Sequence, residues 1–192
     1  MKIKLKSTIT TNCCELRVPN KEIRLCFKNR VLSFYEENPV IQNSLTDLIK
    51  GLFAGDAKCA ENSLNILLSK YVSIRAFAAN APKENYYHGF MNGLLGSGST
   101  IIQEQNSNKE SGNGYADLTI FSKTGSEVAI LELKKANKMT DDRNKIALSA
   151  IQQIKEKMYA EPYMSNTTIK HIYAYGICFC NKLCNVVSDI LK

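Results

Sequence analysis

Apolar positions recur at helical spacing through the first part of the chain and at strand spacing through much of the rest. Ile23, Phe27, Val31 and Phe34 fall on one helical face, and that helix is expected to end before Pro39. A short extended piece at 14–18 and a turn at Pro19-Asn20 precede it. A second helix fits 45–53, closed by Gly55-Asp56. A third fits 57–71, with Ala60, Leu64, Leu67 and Leu68 on its apolar side. Residues 1–80 thus form a helical lead-in with no grouping of chemically active side chains.

From residue 81 onward the pattern changes. Pro82 suits the opening of a helix that runs through Leu95 and stops in Gly96-Ser97-Gly98. A short strand is expected at 100–104, followed by a polar loop over 105–114. Two strands then fit 115–122 and 127–134, joined by a turn at 123–126. A long helix fits 141–160, stopped by Pro162. A strand over 168–179 leads through Asn181-Lys182 to a last short strand at 186–191. The order helix, three strands, helix, strand predicts an α/β domain over 81–192, with a mixed β-sheet flanked by helices.

Composition narrows the class. With 44% apolar residues, the 192-residue chain can bury a sizeable core. It has no apolar stretch of transmembrane length, roughly 18 residues. The basic N-terminal residues are not followed by an apolar run, which makes a poor signal peptide and points to a cytoplasmic protein. A net charge of +7 is compatible with a phosphate-bearing partner. The seven cysteines are an odd number and fit reduced thiols. Cys178, Cys180 and Cys184 lack both the C-x-x-C spacing and the second ligand pair of a structural zinc site. In an apolar strand, Cys178 and Cys180 read as small hydrophobes.

The chemistry concentrates around Asp117 and the run Ile130-Leu131-Glu132-Leu133-Lys134. Glu132 and Lys134 are two apart on a predicted strand and share one face, while Ala129, Leu131 and Leu133 point to the other. Charges on an otherwise apolar strand need compensation, and a divalent cation is one such partner. Asp117 lies on the preceding strand, which a short turn returns against the Glu132 strand. Two carboxylates give hard oxygen ligands for Mg²⁺ or Mn²⁺, and the Leu133 carbonyl can add another. The ion polarises a phosphate, and a neighbouring lysine orients water or offsets charge. Taken by itself, Glu-x-Lys also reads as an exposed ion pair on an amphipathic strand.

Flanking positions carry two readings each. Glu84 shares a helical face with Tyr87, His88, Met91 and Leu95. It serves either as a further carboxylate at the metal or as a first-turn acid that suits the helix dipole. His88 reads first as a packing residue and second as a catalytic one. On the long helix, Ile146, Ala147, Ala150, Ile151, Ile154 and Met158 form the apolar face. Gln153 stands at its edge, placed to bond water or phosphate or simply to flank the helix. Lys135, Lys138, Arg143, Lys145, Lys155 and Lys157 make a basic neighbourhood, solvated or tracking a phosphate backbone.

Several segments together resemble a known family: RVPNKE at 17–22, ENYYHGF at 84–90, ESGNGYADL at 110–118, ILELK at 130–134, QIKEKMYAE at 153–161 and YGI at 175–177. They look like the PD-(D/E)xK nuclease domain found C-terminal to AAA-ATPase-like domains in bacterial proteins, over about residues 14–180. The resemblance implies a restriction-endonuclease-like fold. It places metal-binding acids at Asp117 and Glu132 and the catalytic lysine at Lys134, with Glu84 and Gln153 as further site residues. Where family members often carry an arginine shortly before the motif aspartate, this chain has Tyr115-Ala116. No G-x-x-x-x-G-K-[ST] motif is present, so the ATPase half is missing, and the chain reads as a fragment, a stand-alone remnant or a partner to a separate AAA-type ATPase. The leading expectation is a Mg²⁺-dependent nuclease acting on DNA, with RNA as a second substrate. The alternative is a non-catalytic nucleic-acid-binding or regulatory module, a partner of an AAA-type ATPase.

Overall fold

A computed structural model describes residues 39–72, 83–98 and 100–192. The expected extended piece at 14–18, the helix through Ile23 and Phe34, Pro82 and the RVPNKE segment lie outside the described residues. The described elements are α1 (Pro39–Ala54), α2 (Ala57–Tyr71), α3 (Lys83–Gly96), β1 (Ile102–Ser111), β2 (Gly114–Ser122), β3 (Glu127–Lys135), α4 (Arg143–Glu156), α5 (Glu161–Met164), β4 (His171–Cys180) and β5 (Leu183–Ile190).

The five strands form one mixed sheet in the order β1-β2-β3-β4-β5. The β1–β2, β2–β3 and β4–β5 pairs are antiparallel. The central pair, β3 with β4, is parallel. Parallel strands need a long crossover, and α4 supplies it. This architecture is the restriction-endonuclease-like α/β arrangement that the sequence implies.

Both central strands are buried on both faces, which explains their near-continuous apolar runs. One face packs on α4, where Val128, Ile130, Ile172 and Ala174 meet Ile151 and Ile154. Gly176 permits this close packing, because a Cβ there would collide with the Ala147 carbonyl. Helices α1 and α2, placed in the lead-in by the sequence, pack on the sheet within a compact unit of residues 39–192. Tyr175 donates its hydroxyl to the Gly51 carbonyl at 2.9 Å. Helix α2 also covers the β5 edge. The Asn65 amide pairs with both the N–H and the C=O of Cys184, and the Glu61 carboxylate accepts from the Val186 N–H. Edge backbone groups that would otherwise template aggregation are thereby satisfied.

Three expected boundaries move by four residues or more. Helix α1 begins at Pro39 itself, because proline lacks only an N–H that the first turn leaves unused. The polar stretch after residue 104 is not a loop but the rest of β1. Its pairing with β2 satisfies the backbone, and an exposed edge strand needs no apolar alternation. The long helix stops at Glu156 rather than near Ala160. Met158 takes a left-handed φ of 53°, turning the chain before Pro162 can act. No described helix is long and apolar enough to cross a membrane.

Candidate active site

Strands β2 and β3 pair only from Leu118 to Phe121 on one side and from Val128 to Leu131 on the other. Before Leu118, β2 remains paired with β1 alone, while β3 continues alongside β4 to Lys135. The two strands therefore fork at Asp117 and Glu132. The ladder partner that Leu133 loses at the fork is replaced by a side chain, since its N–H donates to Asp117 Oδ2 at 2.8 Å. N–H and C=O of one strand residue point to the same edge, so the Leu133 carbonyl also faces the fork.

Glu132 is buried at 3% exposure and points toward α4. Its Oε1 accepts from Lys134 Nζ at 2.9 Å and from Gln153 Nε2 at 2.5 Å. Lys134 Nζ also donates to Gln153 Oε1 at 2.7 Å, which closes a triangle of three side chains. Its other carboxylate atom, Oε2, is buried with no hydrogen-bond partner. Burial pushes the Glu132 carboxyl up to about 7, and the charge on Asp117 adds to the rise. Lys134 and the Gln153 amide act in the opposite direction.

Gln153 projects from the third turn of α4, and its amide reaches the Tyr159 hydroxyl at 3.4 Å. Tyr159 is buried, and its backbone carbonyl accepts from Ser111 Oγ at 2.7 Å. The tip of the β1–β2 hairpin is bound to the same turn, with the Asn113 N–H donating to the Lys157 carbonyl at 2.7 Å. Gly112, at φ 55°, lies so close to the carbonyls of Lys157 and Met158 that no side chain fits there. From α3, His88 Nε2 sits 3.1 Å from the Asp117 carbonyl and 3.3 Å from Ser107 Oγ.

The structure thus brings Glu132, Lys134 and Gln153 into direct contact, and Asp117 onto the backbone of Leu133 between them. Glu84 falls in the first turn of α3, and its side chain lies outside what is described. Tyr159 was not singled out by sequence reasoning. An uninterrupted helix to residue 160 would carry it away from Gln153; only the reversal at Met158 brings it back. Cys178, Cys180 and Cys184 are buried free thiols, and Cys178 and Cys180 pack among Ala136 and Ala147 as small apolar groups.

The donor set fits a hard divalent cation. Asp117 and Glu132 flank the fork and repel each other electrostatically, a backbone carbonyl faces it, and a buried carboxylate oxygen has nothing to bond. Among the described residues no group of three or more His, Cys, Asp and Glu side chains is placed to hold a metal.

Sheet order, crossover helix and forked acid pair with a neighbouring lysine define a restriction-endonuclease-like domain. A family model for the PD-(D/E)XK nuclease superfamily matches residues 82–189, and the chain belongs to that superfamily. No curated protein and no solved structure matches it.

Proposed function

We propose that this chain is a divalent-cation-dependent nuclease that hydrolyses phosphodiester bonds in DNA. Asp117 and Glu132 hold the ion together with the Leu133 carbonyl, and Lys134 assists the attacking water. The observation that carries this reading is Glu132 Oε2, a buried carboxylate oxygen without a partner. Such an atom costs free energy in any state that leaves it bare. A cation at the fork relieves that cost and the repulsion from Asp117 together.

A Mg²⁺ or Mn²⁺ ion bound there supplies Lewis-acid polarisation of the scissile phosphate and lowers the pKa of water. The chain does the rest. Gln153 and Lys134 occupy Glu132 Oε1 and leave Oε2 without a partner, so that it would be the oxygen available to an ion. The Leu133 N–H fixes one oxygen of Asp117. Lys134 is the partly exposed member of the triangle, with 26% of its side chain accessible. Its ammonium can hold the attacking water or offset charge that builds on the phosphate. The new bond is from water oxygen to phosphorus, and the bond that breaks is from phosphorus to a sugar oxygen, which leaves with a proton. The +7 charge of the chain favours approach of a polyanion.

Plasmid and single-stranded DNA incubated with Mg²⁺ or Mn²⁺ test the assignment. Wild type is expected to cleave, and Glu132→Ala and Lys134→Ala are expected to lose at least about a hundredfold in rate, the scale of a lost charge-stabilising group. Cleavage that persists unchanged in both variants removes these residues from the reaction. A wild type that binds DNA but never cleaves it reduces the chain to a binding module.

A further inference from the structure

We infer that Tyr115 is a stacking platform for an unpaired nucleobase, and that the substrate class of this site is single-stranded or frayed nucleic acid. The inference rests on the nucleic-acid reading given above. Tyr115 is 62% exposed, the most exposed Tyr or Phe ring among the described residues. Among those residues no other ring stacks on it and its hydroxyl makes no hydrogen bond. It precedes Asp117 by two residues on β2, about 7 Å along a strand. That span is comparable to the reach from a phosphate to the base of an adjacent nucleotide.

The platform is also fixed. Tyr115 pairs with Glu110 one step from the hairpin turn. The turn is held to the end of α4 by the bonds of Asn113 and Ser111 and by the close approach of Gly112 to Lys157 and Met158. Tyr159 joins that same turn to Gln153, so ring and acids are referenced to one piece of backbone. Lys157 at the turn is an exposed cation that suits a phosphate backbone. A duplex does not use such a ring, because its base faces are already covered by neighbouring base pairs. A single strand, a frayed end or a flipped base offers a free face, and stacking on it tolerates any sequence.

Binding without turnover tests this. The full chain is titrated in EDTA into a deoxyoligonucleotide carrying 2-aminopurine, and separately into the same sequence as a duplex. Tyr115→Ala is expected to weaken single-strand binding by about 5- to 150-fold, the range of one base–aromatic stack. Tyr115→Phe should keep the affinity and the 2-aminopurine quenching, and duplex binding should stay the same in both. Equal loss on single strand and duplex, no loss on either, or no binding of single strands by wild type overturns the inference. Cleavage is read separately. Tyr115-dependent binding without Mg²⁺-dependent cleavage leaves the stacking role standing and removes the nuclease reading. Equal cleavage of both substrates, insensitive to Tyr115→Ala, does the reverse.

Discussion

Replacing Glu132 by glutamine isolates the electrostatic cost at the fork. The side chains have nearly the same shape, and the amide resembles the protonated acid. In the metal-free protein the Glu132 carboxyl is raised from its ordinary 4.5 to about 7, first by burial and then by Asp117, despite the opposing effects of Lys134 and Gln153. A raised carboxyl means that the folded chain holds a proton the unfolded chain has already released. This contribution to stability is present below pH 4.5, declines as pH rises from 4.5 to 7, and is absent above that window. At ~1.4 kcal/mol per unit, the rise amounts to about 3 kcal/mol. Glu132→Gln is therefore expected to match wild type near pH 4.5 and to exceed it by about 3 kcal/mol at pH 8 in EDTA, or roughly 6–12 °C in Tm for a chain of this size. Urea unfolding followed by circular dichroism at both pH values measures the difference. Added Mn²⁺ at pH 8 should then raise the stability of wild type and leave Glu132→Gln unchanged. A stability difference that does not vary with pH, or a less stable glutamine variant at pH 8, refutes the reasoning.

Two further substitutions probe the supports of the site. Gln153→Ala removes the amide that donates to Glu132 and accepts from Lys134. Because the donated bond lowers the Glu132 carboxyl, its loss should move the acid limb of the pH–rate profile to higher pH. It should also slow cleavage roughly tenfold, as expected for a bond to a charged group; an unshifted limb separates Gln153 from Glu132. Gly176→Ala should destabilise the fold by at least ~1–3 kcal/mol, since the new methyl meets the Ala147 backbone rather than a flexible side chain. Thermal melts check this, and an unchanged Tm shows that α4 can move off the sheet freely.

How much of this was legible in the sequence depends on which interactions fix each element. The β2 and β3 strands, the turn between them and the Glu132/Lys134 face follow from alternation and turn residues, all of them local signals. Helix α2 was legible at both ends, with Asp56 capping the Cys59 N–H. Strand β1 was only partly legible, because its polar residues are held by backbone bonds to β2, which leave no mark in side-chain pattern. The end of α4 was hidden for a related reason. The reversal at Met158 accommodates Gly112 and Asn113 of a distant hairpin, so its cause is tertiary. Gln153 was expected at the edge of a buried helical face, and the structure sets it against Glu132 and Lys134. Tyr159 lay beyond reach because its place depends on that reversal.

The fork explains why these residues act as a set. Were β2 and β3 paired along their whole length, Leu133 would bond a backbone carbonyl and Asp117 would be an ordinary strand residue. Ending the ladder at Leu118 leaves the Leu133 N–H to be satisfied, and Asp117 Oδ2 satisfies it. The same bond brings a second negative charge toward Glu132, on a strand buried on both faces. Lys134 neutralises only part of that charge, since its contact is with Oε1 and Oε2 stays bare. One cation against two acids leaves excess negative charge at the fork, which the divalent ion we propose there would offset. Holding the fork open falls to the hairpin tip, bound to the α4 turn through Gly112, Asn113 and Ser111. The cost of burying two acids at the fork and the metal affinity proposed for it thus have a single origin, the point where two strands part.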